Sequence, residues 1–438
     1  MSGLQAATPT KLRKSWALGR HGMLALLTLV VTVNYVDRYV LSIMVEPIRK
    51  SLALSDTQIG LLTGAGFALL YTTLAIPVAR LAERHNRVAI LTLAVIVWSL
   101  ATASCGLAAT FGLLFLARAM VGLGEAGAIA PAMSMLSDVY PVRSRGSAMA
   151  VFGLGGALGG AIAPLVGGWL EPQIGWRHTF LVIGLAGLPL GLLLWMLVDE
   201  PARGHADGLQ PGGTRALPFV ETARRLMRRR SFSLLIPALS LMALGEYSMI
   251  LWMPAFFSRT FDLGVEEVGH QIALYQGAPF FVGTILGGVL TDRLSRRDVR
   301  WIVWLPMIGA LLTAPTVLAL FGMQTAPLAF ALLILPSFVN GLYIGPCYAV
   351  VQNLSAVHSR ATATAILTFA VNLIGAGLGP FLLGALSTAL TRQFGDQSLR
   401  YAFFALVPIY LAAAAVFAAI SMFIARDLAD AEADSRST

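Results

Sequence analysis

The stretch GGVLTDRLSRR, Gly287–Arg297, lies between two long apolar blocks and packs one acid and three arginines into eleven residues. ARLAERHNRV, Ala79–Val88, uses the same device 209 residues earlier: Glu83, Arg84 and Arg87 stand where Asp292, Arg293 and Arg296 stand later. Further out, SRGSAMA from Ser144 and SRATATA from Ser359 each open a helix bearing glycine and proline, and Pro164 and Pro380 follow 216 residues apart. The chain therefore reads as two related halves.

Around these loops the composition is that of a membrane protein. Hydrophobic residues make up 57% of the 438, charged residues 12%, and the mean hydropathy is +0.75. The apolar residues come in blocks of roughly 20 to 28, enough for a helix to cross about 30 Å of hydrocarbon. Spanning strands would alternate in polarity, and these blocks do not. The spacing predicts an all-α membrane protein with helices near 21–45, 57–80, 88–109, 112–140, 145–169, 175–198, 232–258, 268–291, 301–322, 326–356, 361–389 and 400–425. The polar, basic segment before the first block does not resemble a cleavable signal, so that block is expected to remain as a helix. Cys105 and Cys347 fall inside apolar blocks and read as small buried side chains.

The net charge of +9 marks topology, not nucleic-acid binding, because the basic residues sit in short loops between apolar helices. With both ends placed in the cytoplasm, 23 of the 31 Lys and Arg fall on the cytoplasmic side, 6 on the other, and Arg38 and Arg118 lie within the membrane. The expected organisation is a cytoplasmic segment 1–20, a six-helix bundle 21–198, a linker 199–231, a second six-helix bundle 232–426 and a cytoplasmic tail 427–438. The linker is rich in Pro and Gly before its arginine cluster, Arg224–Arg230. That cluster reads either as a surface helix lying on anionic headgroups or as a plain topogenic charge group.

The pattern Gly-x-x-x-Asp-Arg-x-x-Arg-Arg, met by Gly288–Arg297 and more loosely by Ala79–Val88, resembles the signature of the major facilitator superfamily. RAMVGLGEAGA in the fourth helix, with Arg118, Gly122 and Gly124, matches that superfamily's Arg-x-x-x-Gly-x-Gly pattern. NYVDR in the first helix, VGLGEA in the fourth and ERHNR after the second are similar to the Spinster family, whose members move lysophospholipids and sphingosine phosphates. Glu83 stands where the superfamily has Asp, and Ala79 where it has Gly. The resemblance implies two six-helix bundles around a central cavity formed by helices one, four, seven and ten. It also implies a conformational latch of Glu83, Arg84, Arg87, Asp292, Arg293 and Arg296. Asp138, at the end of the fourth helix, is a partner for Arg84 or Arg87, or else a solvated helix-end acid.

Charges inside the apolar blocks carry the functional reading. An Asp or Arg at a helix centre costs roughly 2.5 to 3.5 kcal/mol on insertion scales, so each implies a partner or a role. Counted from the helix ends, Asp37 and Arg118 lie about 15 and 10 Å deep from one face. Glu125 follows Arg118 on the same face of the fourth helix, nearer mid-membrane. Glu246 in the seventh helix lies 209 residues after Asp37, the offset of the paired loops. The resemblance places Asp37, Arg38, Arg118 and Glu125 at the cavity. All six histidines fall at span edges or in loops, which leaves proton coupling to Asp37, Glu125 and Glu246. Arg38 and Arg118 suit a phosphate headgroup, and Tyr35, Tyr39, Tyr247, Trp252 and Tyr343 offer amphipathic surfaces to the rest of a ligand.

GLGEAG, Gly122–Gly127, lies mid-helix and is not a dinucleotide loop. No metal pattern, cofactor motif or nucleophile constellation is present, so no enzyme is expected. The expected function is proton-coupled transport of lysophospholipids or related single-chain phospholipids by alternating access. The alternative is transport of small organic anions such as sugar acids. The expected setting is a monomer, multi-pass in a bacterial inner membrane, with protons, an amphipathic lipid substrate and membrane lipids as its partners.

Overall fold

The computed structural model describes residues 18–203, 219–355 and 360–437. Lys11, Arg13, Lys14, His205, His358, Ser359 and the Pro/Gly part of the linker lie outside them. Among the described residues the chain is helical, without strands, as backbone that must satisfy its own hydrogen bonds in hydrocarbon has to be. Ten apolar helical stretches are long enough to cross a membrane, and two of these, Ser144–Leu197 and Thr362–Ala431, are double length, which makes twelve crossings. Gly175 (φ 75°) splits the first of these and Gly395 (φ 54°) turns the chain in the second. Both sit in the left-handed region open to glycine.

The spans are numbered here in chain order: 1, Arg20–Leu52; 2, Asp56–Arg84; 3, Arg87–Gly106; 4, Phe111–Val139; 5 and 6, the two halves of Val142–Leu197; 7, Arg230–Phe261; 8, Val265–Ser295; 9, Trp301–Gly322; 10, Ala326–Leu354; 11, 360–394; 12, 398–437. The face carrying the start of span 1 and the end of span 12 is called the terminal face, and the opposite one the distal face. Local chemistry sets several starts. Ser55 and Gln58 form a reciprocal capping box, and Asn86 and Thr110 cap spans 3 and 4 through their side-chain oxygens. Span 12 outruns the sequence expectation, staying helical to Ser437 because Ala, Leu and charged residues such as Arg426 and Asp430, 3.8 Å apart, continue it beyond the apolar stretch. The basic cluster includes a short helix, Phe219–Arg228.

The internal repeat is visible in the backbone. Spans 1 and 7 both end on a residue of positive φ, Ala53 and Asp262, 209 apart. Spans 2 and 8 each contain a five-residue π-helical segment, Leu61–Ala65 and Ala273–Gly277. The two six-helix bundles meet along spans 2 and 11 and along spans 5 and 8, through repeat-related residues. Gly60 abuts the carbonyl of Pro380, and Gly269 that of Pro164. One turn beyond Gly60, Gly64 abuts Gly377, and two turns beyond Gly269, Gly277 abuts Ala161. A side chain at any of the four would hold the bundles apart.

Candidate functional site

Three constellations of charge organise the molecule. The first lies inside the first bundle. Nε and one terminal nitrogen of Arg38 donate to the same Oε2 of Glu125, at 3.0 and 2.5 Å, with both side chains buried. The guanidinium is wrapped by the rings of Tyr35, Phe67 and Tyr71, 4.7 to 4.9 Å from their centroids. Asp37 points elsewhere, because adjacent helix positions diverge by about 100°. It is fully buried near Trp98, Arg118 and Glu125, with the Trp98 indole as its nearest donor and no close ion pair among the described residues. Arg118 is likewise buried, its guanidinium 5.7 Å from the Phe67 ring centroid. Two acids and two bases balance one another here. Asn34, one turn before Asp37, joins the cluster as a buried neighbour of Glu125; sequence reasoning missed it, although a polar residue at i−3 of an intramembrane acid was the available signal.

The second constellation is a cavity of about 1010 Å³ between the bundles. Span 5 lines it with Gly153, Gly156 and Gly160, span 1 with Tyr35, Tyr39 and Ser42, and the second bundle with Glu246, Tyr247, Gln276, Phe280, Ser337, Asn340 and Tyr348. Met149 and Asp292, near the terminal ends of spans 5 and 8, line its mouth, so the cavity opens to the terminal face. Tyr343 stands behind the wall and donates its hydroxyl to Oε2 of Glu246 at 2.5 Å.

The third seals the distal face. Arg259 in the last turn of span 7 grips Glu46 of span 1 at 2.5 Å and both carboxylate oxygens of Asp56 of span 2 at 2.7 Å. Ser387 of span 11 donates to Asp56 at 2.6 Å, and the Thr57 amide donates to the Thr388 hydroxyl at 2.9 Å. None of these residues was singled out from sequence. Glu46 sits in the first apolar helix and was open to the argument applied to Asp37. Asp56 and Arg259 fall at helix ends, where charges read as topological.

The sequence-derived candidates thus divide. Tyr35, Tyr39, Glu246, Tyr247 and Asp292 line the cavity. Asp37, Arg38, Arg118 and Glu125 meet one another, but behind the cavity wall. Trp252 packs between spans 7 and 11, its Nε1 donating to the Pro380 carbonyl at 2.9 Å, away from the cavity. On the terminal face Arg87 pairs with Asp138 and Glu200 and donates to the Pro201 carbonyl, binding spans 3, 4 and 6 of one bundle. Glu83, Arg84, Arg293 and Arg296 are exposed, and the latch set forms no ion pair between bundles among the described residues.

Twelve helices in two repeat-related bundles around a central cavity define a membrane transporter. Residues 27–380 match the model of the Major Facilitator Superfamily, and the chain belongs to that superfamily. An MFS-type efflux pump of Mycolicibacterium smegmatis is 32% identical over 399 residues, 90% of each chain. The sphingosine-1-phosphate transporter SPNS2 of Mus musculus is 25% identical over 432 residues, 93% of this chain and 78% of that one. Among solved structures, a bacterial homologue of the human lysosomal transporter Spinster, inward-facing and unoccupied, superposes with a TM-score of 0.85 at 31% identity, over 95% of this chain and 99% of the other. The chain is a multi-pass transporter of this superfamily with Spinster-like relatives, and not an enzyme.

Proposed function

We propose that the protein is a proton-coupled secondary transporter of lysophospholipids or related single-chain phospholipids, working by alternating access in a bacterial inner membrane with both chain ends in the cytoplasm. The observation that carries this reading is the cavity of about 1010 Å³, walled mainly by aliphatic, aromatic and glycine residues and reaching the terminal ends of spans 5 and 8. It stands at the upper end of the roughly 300–1,000 Å³ typical of small-molecule sites. The excess of basic residues in the loops of the terminal face supports a cytoplasmic placement, so the described state faces inward. Small organic anions fit less well, because the cavity wall carries no basic side chain among the described residues.

The buried cluster supplies the coupling. A carboxylate sealed from water must be neutralised by a base or by a proton. In the inward-facing state Glu125 is neutralised by Arg38, while Asp37 shares Arg118 only at longer range. Rocking of the bundles strains span 1, which carries Asp37 and Arg38 on diverging faces. The arginines then change companions and the acid left without a base takes up a proton. Return of the arginine expels it. Arg38 and Arg118 therefore act on the carboxylates, and the ligand headgroup is left to the second bundle.

Reconstitution into liposomes with an imposed pH gradient tests the reading. The natural protein should take up lysophosphatidylethanolamine faster with the gradient than without it. Asp37→Asn and Glu125→Gln should still bind the lipid and lose the acceleration. Gradient-driven uptake surviving in both variants would exclude this cluster as the coupling element.

A further inference from the structure

The geometry points to Glu246 as a recognition site for a cationic centre, so that the preferred substrates carry an amine or quaternary ammonium group and not a headgroup of purely negative charge. The inference rests on the reading of the protein as a carrier of single-chain amphiphiles and names the part of the ligand it selects.

The argument is one of charge balance. The other buried acids with assigned partners face guanidinium groups: Glu125 faces Arg38, and Glu46 and Asp56 face Arg259. Asp37 lies near Arg118. Glu246 is the exception: buried, on the cavity wall, with the hydroxyl of Tyr343 as its partner. Among the described residues no Lys, Arg or His lines the cavity, and its second charged group, Asp292 at the mouth, is also acidic. The groups within electrostatic reach of Glu246 from neighbouring helices are the phenols of Tyr39, Tyr343, Tyr348 and Tyr410, with Tyr247 adjacent in sequence. An uncompensated carboxylate in such surroundings takes up a proton or a cation.

The surroundings also suit a soft cation. Tyr39, Tyr247 and Tyr348 line the same cavity beside Tyr35, whose ring already holds the Arg38 guanidinium, and aromatic rings attract ammonium groups. Gln276 and Asn340 supply neutral donors for a phosphate beside the ammonium, without the bases that would favour a bare anion. A zwitterionic headgroup matches this arrangement, and proton and ammonium group compete for one carboxylate.

Equilibrium binding to the purified full-length protein tests the site, with three probes of one acyl chain: lysophosphatidylcholine, lysophosphatidylglycerol and uncharged monoacylglycerol. The expected order places lysophosphatidylcholine about tenfold or more tighter than lysophosphatidylglycerol, the worth of one charge-assisted contact. Glu246→Gln should abolish that difference while monoacylglycerol affinity stays unchanged, which reports an intact cavity. Glu246→Asp should keep part of the preference. Acidification should weaken lysophosphatidylcholine binding in the natural protein but not in Glu246→Gln. Equal affinity for the two lipids, or a preference that survives Glu246→Gln, overturns the cationic site and leaves the amphiphile reading standing. Failure of all three probes to bind overturns both.

Discussion

Arg259 holds Asp56 across the boundary between bundles by two parallel contacts of 2.7 Å, and the same guanidinium also reaches Glu46. Forked pairing of this kind fixes direction as well as distance. Because Arg259 comes from one bundle and both acids from the other, the contact must break when the distal face opens. Arg259→Met strips Asp56 of its paired guanidinium and leaves Glu46 with Arg49 alone, at a cost of about 3–5 kcal/mol that falls on the inward-facing state. Spin labels at Lys50 and Arg392, exposed on the distal face, should report a longer separation in Arg259→Met than in the natural protein. An unchanged distance distribution would remove the seal from the mechanism. The native Cys105 and Cys347 are buried, which leaves the labelled sites distinct.

The glycines between the bundles predict a second, independent route to the same shift. A Cβ at Gly64 would stand 2.5 Å from the carbonyl oxygen of Gly377, and one at Gly277 would stand 2.9 Å from Cα of Ala161. Gly64→Val and Gly277→Val should therefore disfavour distal closure and slow transport, with the same labels reporting separation. Gly146→Ala, where a Cβ meets nothing within 4 Å, is the control and should transport at the natural rate.

The buried ion pair predicts a stability pattern. Arg38→Met strips Glu125 of its two guanidinium contacts and should destabilise the fold by about 3–5 kcal/mol, read as a lower temperature for loss of monodisperse protein in detergent. Arg38→Met combined with Glu125→Met should melt above the single variant, since the double change removes both charges. A double variant less stable than either single one would show that the pair stabilises by more than mutual neutralisation.

Trp252 separates packing from binding. Trp252→Phe removes the indole donor to the Pro380 carbonyl and should cost about 1 kcal/mol of stability while lipid affinity stays unchanged. A selective loss of affinity would place the indole in the ligand path.

Much of this was legible in sequence because membrane burial makes charge conspicuous. Asp37, Arg118, Glu125 and Glu246 stand out in apolar blocks, and offsets of 209 and 216 declare the repeat. What the offsets could not tell is that repeat-related residues touch crosswise, Gly60 on Pro380 and Gly269 on Pro164, because contact between halves depends on how the bundles are tilted. Nor could spacing tell which acid takes which base. Asp37 and Arg38 are neighbours in the chain but face different partners, and only the packed bundle puts Arg38 on Glu125. The seal was hidden for a different reason: the sequence offers no measure by which an arginine ending span 7 is distinguished from one that merely orients a loop.

The glycines of span 5 leave one side of the cavity with few polar or bulky projections. Gly153, Gly156 and Gly160 present backbone between the apolar side chains of Leu154, Ala157 and Pro164, so an alkyl tail lying there meets a low, apolar floor. Such a bore does not measure its cargo. Tails of different length should travel at similar rates, and a methyl added at Gly160, where Tyr39 stands 3.5 Å away, would narrow the calibre enough to begin telling long from short.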